Sequence, residues 1–473
     1  MFGFVLAKGL RIRLSATELI RNYKMAEPIV ALSTPPGISG IAVIRASGEG
    51  VFQIVDLCFE GKVKISETKT HTIHYGKFHD NQNLIDFVTV SVFRAPNSYT
   101  GEDVAEISCH GGYIVAEKVI ETLIKYGCRL AEPGEFTRRA FLNGKLDLAQ
   151  VEAVADLIHS TSEASYQVAV RQLAGEFSRR ISEFRKKLLD AASLLELELD
   201  FADEGFEFVD RNIIVNSIDQ AINFCEDLTA SYHSAEIMRS GYFVGIAGFP
   251  NSGKSTLFNS LLQRKRAIVS EIPGTTRDYL EETIFIDGFA VKLIDTAGLR
   301  KTADIIEIEG IRMVESLLAQ SNLILVLNDI TQGREHSDSL FAELKARYAN
   351  CRVLLVQNKI DLLDTLPPAR EAEIFISAKH SVGLEKIKEI ISEELKKERT
   401  HIQDVLLNQR HYLLLKKASE ELRNAKRSLL QGAGNELVAD DLRRAVKTLG
   451  EIIGESFSQD VLNNIFSKFC IGK

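Results

Sequence analysis

A chain of 473 residues has room for about three domains, and a hydrophobic content of 45% is enough to give each an ordinary core. No apolar run approaches the ~20 residues needed to span a bilayer as a helix, and the six cysteines include no Cys-x-x-Cys pair, which argues against a disulfide framework and a structural zinc site. At a net charge of −8, any contact with nucleic acid would need a local basic patch or a more basic partner.

Residues 1–24 stand apart, with Lys8, Arg11, Arg13, Arg21 and Lys24 against a single acid, Glu18. A basic, acid-poor leader of this kind reads either as a mitochondrial transit peptide or as a mis-assigned start upstream of Met25. Its lack of serine enrichment favours the second reading, a cytoplasmic protein beginning at Met25.

Residues 25–143 show short apolar strands at Ile29–Ala31, Ile41–Arg45, Phe87–Phe93 and Ala105–Cys109, with one helix over Tyr113–Tyr126. That pattern predicts a compact α+β domain. From 144 to 237 the spacing becomes helical, with Val151, Val154, Leu157 and Ile158 on one face and Leu188, Leu194, Leu195 and Leu199 on another.

Residues 238–402 carry the chemistry. Gly248-Phe249-Pro250-Asn251-Ser252-Gly253-Lys254-Ser255 fits G-x-x-x-x-G-K-[ST] between an apolar run, Phe243–Ala247, and a helix-like run, Thr256–Gln263. Such a loop aims backbone N–H groups at phosphate oxygens, Lys254 adds a point charge, and Ser255 offers a hydroxyl to Mg²⁺. A switch loop, Gly274-Thr275-Thr276-Arg277-Asp278, follows, with Thr276 as the second hydroxyl for Mg²⁺. Asp287-Gly288 then predicts a hairpin turn between strands Thr283–Ile286 and Ala290–Ile294. After the second strand comes Asp295-Thr296-Ala297-Gly298, where Asp295 can hold Mg²⁺ through water and Gly298 can offer its N–H to a γ-phosphate.

Two more strands each lead into a base-reading loop. Val353–Val356 precedes Asn358-Lys359-Ile360-Asp361, whose Asp361 carboxylate suits the N1–H and exocyclic amine of guanine, and Glu373–Ile376 precedes Ser377-Ala378-Lys379, placed to present an N–H to guanine O6. In this order the set resembles the motifs of regulatory GTPases, and Thr256 and Thr275 complete the residues assigned to GTP. Leu299 departs from the Ras-like pattern, in which a glutamine at this point orients the attacking water. Helical spacing returns over 403–473, so two helical blocks flank one α/β core, which predicts a GTPase inserted into a helical domain.

From Met25 to Lys473 the chain resembles one family, the tRNA-modification GTPases called MnmE or TrmE. The resemblance rests on Thr34-Pro35-Pro36-Gly37, on the Ser98–Asp103 and Pro133–Lys145 blocks, on the Gly274–Asp278 switch and on the terminal Phe469-Cys470-Ile471-Gly472-Lys473. It implies an N-terminal folate-binding domain that also forms a homodimer, a helical domain split by a P-loop α/β (Ras-like) GTPase, and an FAD-containing partner, MnmG. Together such a pair adds a carboxymethylaminomethyl-type group to C5 of the wobble uridine of certain tRNAs, using a tetrahydrofolate one-carbon unit.

The resemblance also implies further site residues. Asn251 would help bind a catalytic K⁺, and Glu307, twelve residues after Asp295, would position water in place of the missing glutamine. Arg45, Glu102 and Lys145 would bind the folate, although a strand end, a turn and a helix start would account for the same three residues. Cys470 would be either a reactive thiol or a small buried hydrophobe. The alternatives are a ribosome-assembly or RNA-binding switch GTPase and a dynamin-like scaffold. The first would carry a G-x-x-G-loop RNA-binding domain or a second GTPase core, and the second a basic amphipathic membrane surface; none of these stands out.

Overall fold

A computed structural model describes residues 27–160, 162–200, 211–262, 281–295, 315–349, 351–401, 405–467 and 469–473. The described residues form two compact units, one drawn from 1–158, 171–226 and 413–473 and the other from 159–170 and 227–412. Most of the second unit is thus an insertion between helices of the first.

The chain opens with β1 (Ile29–Leu32), β2 (Ser39–Ser47), α1 (Val51–Asp56), β3 (Phe59–Gly61), β4 (Thr72–Asp80), β5 (Asn83–Phe93), β6 (Val104–Gly111), α2 (Tyr113–Lys125) and β7 (Arg129–Leu130). The seven strands make one sheet in the order β3-β4-β5-β6-β2-β1-β7. Its neighbours are antiparallel except for β1 and β7. Strand alternation sorts the side chains: Val88, Val90 and Val92 of β5 join Ile44, Ile107, Phe52, Val119 and Leu123 in the core. The other face leaves Ile73, Tyr75 and Phe87 exposed, with the Tyr75 and Phe87 rings stacked. Strand β4 goes unpredicted because its apolar residues do not keep to one face: Ile73 and Tyr75 are exposed while Phe78, three residues on, is buried in the core.

Helices follow at α3 (Glu135–Leu142), α4 (Leu148–His159), α5 (Glu163–Leu173), α6 (Glu176–Asp200), α7 (Arg211–Ala230) and α8 (Tyr232–Ser240). The second unit then contains β8 (Tyr242–Gly248), α9 (Lys254–Leu262), β9 (Glu281–Ile286), β10 (Phe289–Asp295), β11 (Leu323–Asp329), α10 (Glu335–Arg347), β12 (Arg352–Asn358), β13 (Glu373–Phe375) and α11 (Leu384–His401). The sheet order is β13-β12-β11-β8-β10-β9, and every pair is parallel except β9 with β10. Asp287 and Gly288 both take positive φ in the turn between those two strands, as the predicted hairpin requires. Strand β11 is absent from the sequence reading. Its run Leu323–Leu327 is fully buried, as a central parallel strand should be, but no motif there separates it from a buried helix segment.

The chain closes with α12 (Gln409–Leu430), α13 (Asn435–Ile453) and α14 (Gln459–Phe466). Helix α13 packs on α6: Arg185 donates to Val446 O at 3.0 Å and is paired bidentately with Glu455. Gly450 makes room for that guanidinium, since a Cβ there would lie 3.1 Å from it. Lys426 of α12 pairs with Asp219 of α7 at 2.6 Å. Helical segments from both sides of the inserted GTPase therefore build one helical domain. No helix among the described residues is long and apolar enough to cross a membrane.

Candidate functional site

Strand β8 delivers the chain to the phosphate loop at the carboxyl edge of the parallel sheet, where ligands of open α/β sheets bind. Gly248 has φ 145°, and a Cβ on it would stand 2.3 Å from Leu327 O, so only glycine fits. Asn251 (φ 64°) and Gly253 (φ 97°) are also left-handed, and the resulting curl leads into α9. The first N–H groups of a helix lack carbonyl partners within the helix itself and point out of its N-terminus, the arrangement that draws anions. Lys254 is largely buried, and its ammonium donates to Gly248 O at 2.9 Å and Phe249 O at 2.8 Å, so the positive charge stays at the loop. Ser255 and Thr256 occupy the same first turn, exposed. Asp295 ends β10, in register with Ile246 of β8. A hydroxyl and a carboxylate on neighbouring segments are the hard oxygen donors that Mg²⁺ takes.

The base-reading residues converge on Asn358. Its amide is 2% exposed, donates to Ser252 O and accepts from Ala378 N, each at 2.9 Å. One side chain thus ties the phosphate loop to the loop carrying Ser377, Ala378 and Lys379. Ser260 of α9 donates to Ala378 O at 2.8 Å and pins that loop from the other side. Asp361 lies in the turn Ile360–Leu362, where Ser377 Oγ donates to Oδ1 at 2.5 Å and His380 Nε2 stands 3.7 Å from Oδ2. The Ser377 hydrogen bond holds the Asp361 carboxyl below its ordinary range, so at neutral pH it is an acceptor only. Lys359 has φ 66°, and its ammonium reaches Asp329 Oδ2 at 2.6 Å. Asp329, which the sequence reading passes over, ends the same β11 that went unpredicted.

Thr275, Thr276, Gly298 and Glu307 lie outside the described residues, as does the side chain of Asp295.

A second cluster lies in the other unit. Arg45 of β2 pairs with Glu106 at 2.8 Å, and its guanidinium carbon sits 5.1 Å from the Tyr99 ring centroid and 5.7 Å from that of Phe136. Its remaining nitrogen, Nη1, is buried with no hydrogen-bond partner among the described residues. A buried unpaired donor is costly, so this nitrogen suits an acceptor on a ligand, such as a carboxylate oxygen. Glu102 accepts from Ser47 Oγ at 2.8 Å and from Arg139 Nη1 at 3.0 Å. Arg139 is in turn bound at 3.0 Å by Glu135, a buried carboxylate also paired with Arg129 at 2.6 Å. Lys145 packs its alkyl chain beside Gly101, next to Glu102, in the segment between α3 and α4 rather than at a helix start.

The chain's end closes on this cluster. Gly134 (φ 70°) has no space for a side chain, since a Cβ would lie 2.9 Å from Phe466 O, and a Cβ on Gly472 (φ 98°) would lie 2.2 Å from Leu32 O. Ser33 Oγ donates to Gly472 O at 3.2 Å. Burial and the nearby Arg45 charge hold the Lys473 ammonium below its usual range, with Glu106 opposing them. Cys470 is exposed, so it does not serve as a packing residue. Arg139 and Lys473 are absent from the predicted sites, although both fall inside the blocks that carry the resemblance.

A family model described as the N-terminus of the GTP-binding protein TrmE matches residues 28–145, and one described as the MnmE helical domain matches residues 148–470. The chain is 42% identical over 469 residues to the tRNA modification GTPase MnmE of Chlorobium phaeobacteroides, covering 96% of this chain and 99% of that protein. It is 41% identical over 460 residues to the protein of that name from Chlorobaculum tepidum, covering 94% and 97%. The corresponding figures for Cytophaga hutchinsonii are 42% over 465 residues, with 97% and 100% covered.

Proposed function

Since this chain belongs to the MnmE (TrmE) family of tRNA modification GTPases, we propose that its GTPase activity serves modification of C5 of the wobble uridine, position 34, of certain tRNAs. The added group is of the carboxymethylaminomethyl type, and the protein acts in the cytoplasm with an FAD-containing, MnmG-type partner. The observation that supports the GTPase part of the reading is the Asn358 amide, bonded at once to the phosphate loop and to the Ser377–Lys379 loop, and the tRNA part rests on the family.

In this reading the first turn of α9 and Lys254 neutralise phosphate charge, while Ser255, Thr276 and Asp295 hold Mg²⁺. Asn251 contributes to a K⁺ site beside the phosphates. Glu307 positions the attacking water, the task that Leu299 lacks the chemistry to perform. Asp361 accepts the two guanine donors, and Ser377, Ala378 and Lys379 close over the base.

Arg45, Glu102 and Lys145 bind a tetrahydrofolate derivative, which supplies the one-carbon unit. Arg45 offers its unpaired nitrogen to a carboxylate, and Glu102, oriented by its ion pair with Arg139, accepts from N–H groups. Cys470, exposed at the end of the chain, is available as a thiol. The outward sheet face bearing Ile73, Tyr75 and Phe87 suits a second copy of the chain, consistent with a homodimer. The domains run 25–143, 144–237, 238–402 and 403–473.

Mass spectrometry of wobble-uridine nucleosides tests the reading. Cells lacking this protein should lose the carboxymethylaminomethyl-type nucleosides, and the unmutated gene should restore them. An unchanged nucleoside profile in the deletion strain would exclude it.

A further inference from the structure

We propose that Asp329 is a positioning residue of the nucleotide site, fixing the side chain of Lys359 across the guanine side of the pocket. The proposal rests on the GTP-binding reading above. Asp329 ends β11 and Asn358 ends β12, and the two are register partners in adjacent parallel strands. Lys359 is the next residue, turned into the left-handed region at φ 66°, a conformation that a non-glycine residue keeps only when its surroundings impose it.

The two oxygens of Asp329 divide the work. Oδ1 accepts Thr331 N at 3.1 Å and Thr331 Oγ1 at 2.7 Å, closing the turn Ile330–Gln332. Oδ2 takes the Lys359 ammonium at 2.6 Å. Asp329 is 9% exposed. Its burial would raise the carboxyl pKa, but the hydrogen bonds from Lys359 and Thr331 prevail and hold it below the ordinary range. The carboxylate is therefore a fixed negative anchor.

With its ammonium held at the end of β11 and its backbone at the end of β12, the Lys359 side chain must cross between the two strand ends. Lys359 stands between Asn358 and Asp361, so its methylenes form an apolar wall for the face of a base whose edge Asp361 grips. An unanchored lysine would have to give up rotamer freedom on binding, whereas here much of that ordering exists beforehand.

Isothermal titration with GDP and Mg²⁺ tests this through a double-mutant cycle on the full chain. Asp329→Asn keeps an acceptor for Thr331 but removes the charge that holds Lys359, and should weaken GDP binding about tenfold. Lys359→Met keeps the stem without the ammonium and should weaken it comparably. Adding Asp329→Asn to Lys359→Met should then change the affinity by less than about twofold. Thr331→Ala separates the two oxygens, because it loosens the turn and leaves the ion pair, and should bind GDP like the unmutated protein.

Additive losses in the cycle would overturn the proposal, as would a Thr331→Ala loss equal to that of Asp329→Asn or unchanged binding by Asp329→Asn. Failure of the unmutated protein to bind GDP would instead remove the nucleotide reading and the proposal with it.

Discussion

The Asn358 amide stands where a side chain on Gly253 would begin: a Cβ at Gly253 would lie 2.2 Å from Asn358 Nδ2. The same nitrogen donates to Ser252 O at 2.9 Å. The phosphate loop and the guanine-reading string are therefore interlocked, and a change in one is felt in the other.

Gly253→Ala should displace Asn358 and strain a backbone held at φ 97°. A cost of about 1–3 kcal/mol for such a conformation corresponds to a loss of roughly 5- to 150-fold in GTP affinity. Titration with GTP, alongside thermal unfolding, separates lost binding from lost fold. A variant that binds within twofold of the unmutated protein would show that the two loops do not interlock in solution.

Glu135 predicts how stability depends on pH. Burial pushes its carboxyl up, but hydrogen bonds from Arg129, Glu132 N and Arg139 outweigh this and bring it from 4.5 down to about 2. The ionised form is favoured in the folded state, so its stabilising effect is full above about pH 4.5 and is lost as pH falls toward about 2. A shift of that size corresponds to about 3 kcal/mol. In urea titrations the unmutated protein should lose stability over that window, and Glu135→Gln should be less stable at pH 7 with a flatter profile. Parallel profiles for the two proteins would contradict this role.

Asn251 sits at φ 64°, where alanine adds strain and glycine does not. Asn251→Gly is thus the cleaner probe of the K⁺ proposal. The unmutated protein should hydrolyse GTP much faster in K⁺ than in Na⁺, and the variant should lose that difference while still binding GTP. Equal rates in the two salts for the unmutated protein would rule the cation out.

Glu307→Ala should lower kcat and leave GTP binding intact, because positioning water matters only in the transition state. Glu309→Ala, two residues along, should be nearly silent. The reverse pattern would move the catalytic role to Glu309.

Residues whose duty is local are legible in the sequence. Gly248, Gly253, Asp287 and Gly288 announce turns because the backbone there must adopt positive φ, and the spacing around them fixes which strand leads into which loop. Residues whose duty arises from tertiary pairing are not. Arg139 meets Glu102 across 37 positions and Lys359 meets Asp329 across 30, and neither separation leaves a periodic trace. Strand β4 is hidden for a related reason, since its exposed Ile73 and Tyr75 give no sign of which face is buried. The folate candidates come from resemblance alone. What the fold adds to them is the buried, unpaired nitrogen of Arg45 and the approach of Lys473.

The central claim is a guanine-specific GTPase site, and the most direct test is hydrolysis of GTP and xanthosine triphosphate by the unmutated protein and by Asp361→Asn. Replacing the carboxylate exchanges one acceptor for a donor, so the unmutated protein should prefer GTP and the variant should prefer xanthosine triphosphate, with a combined swing of several kcal/mol if both hydrogen bonds are lost. Undiminished preference for GTP in the Asp361→Asn variant would contradict the account.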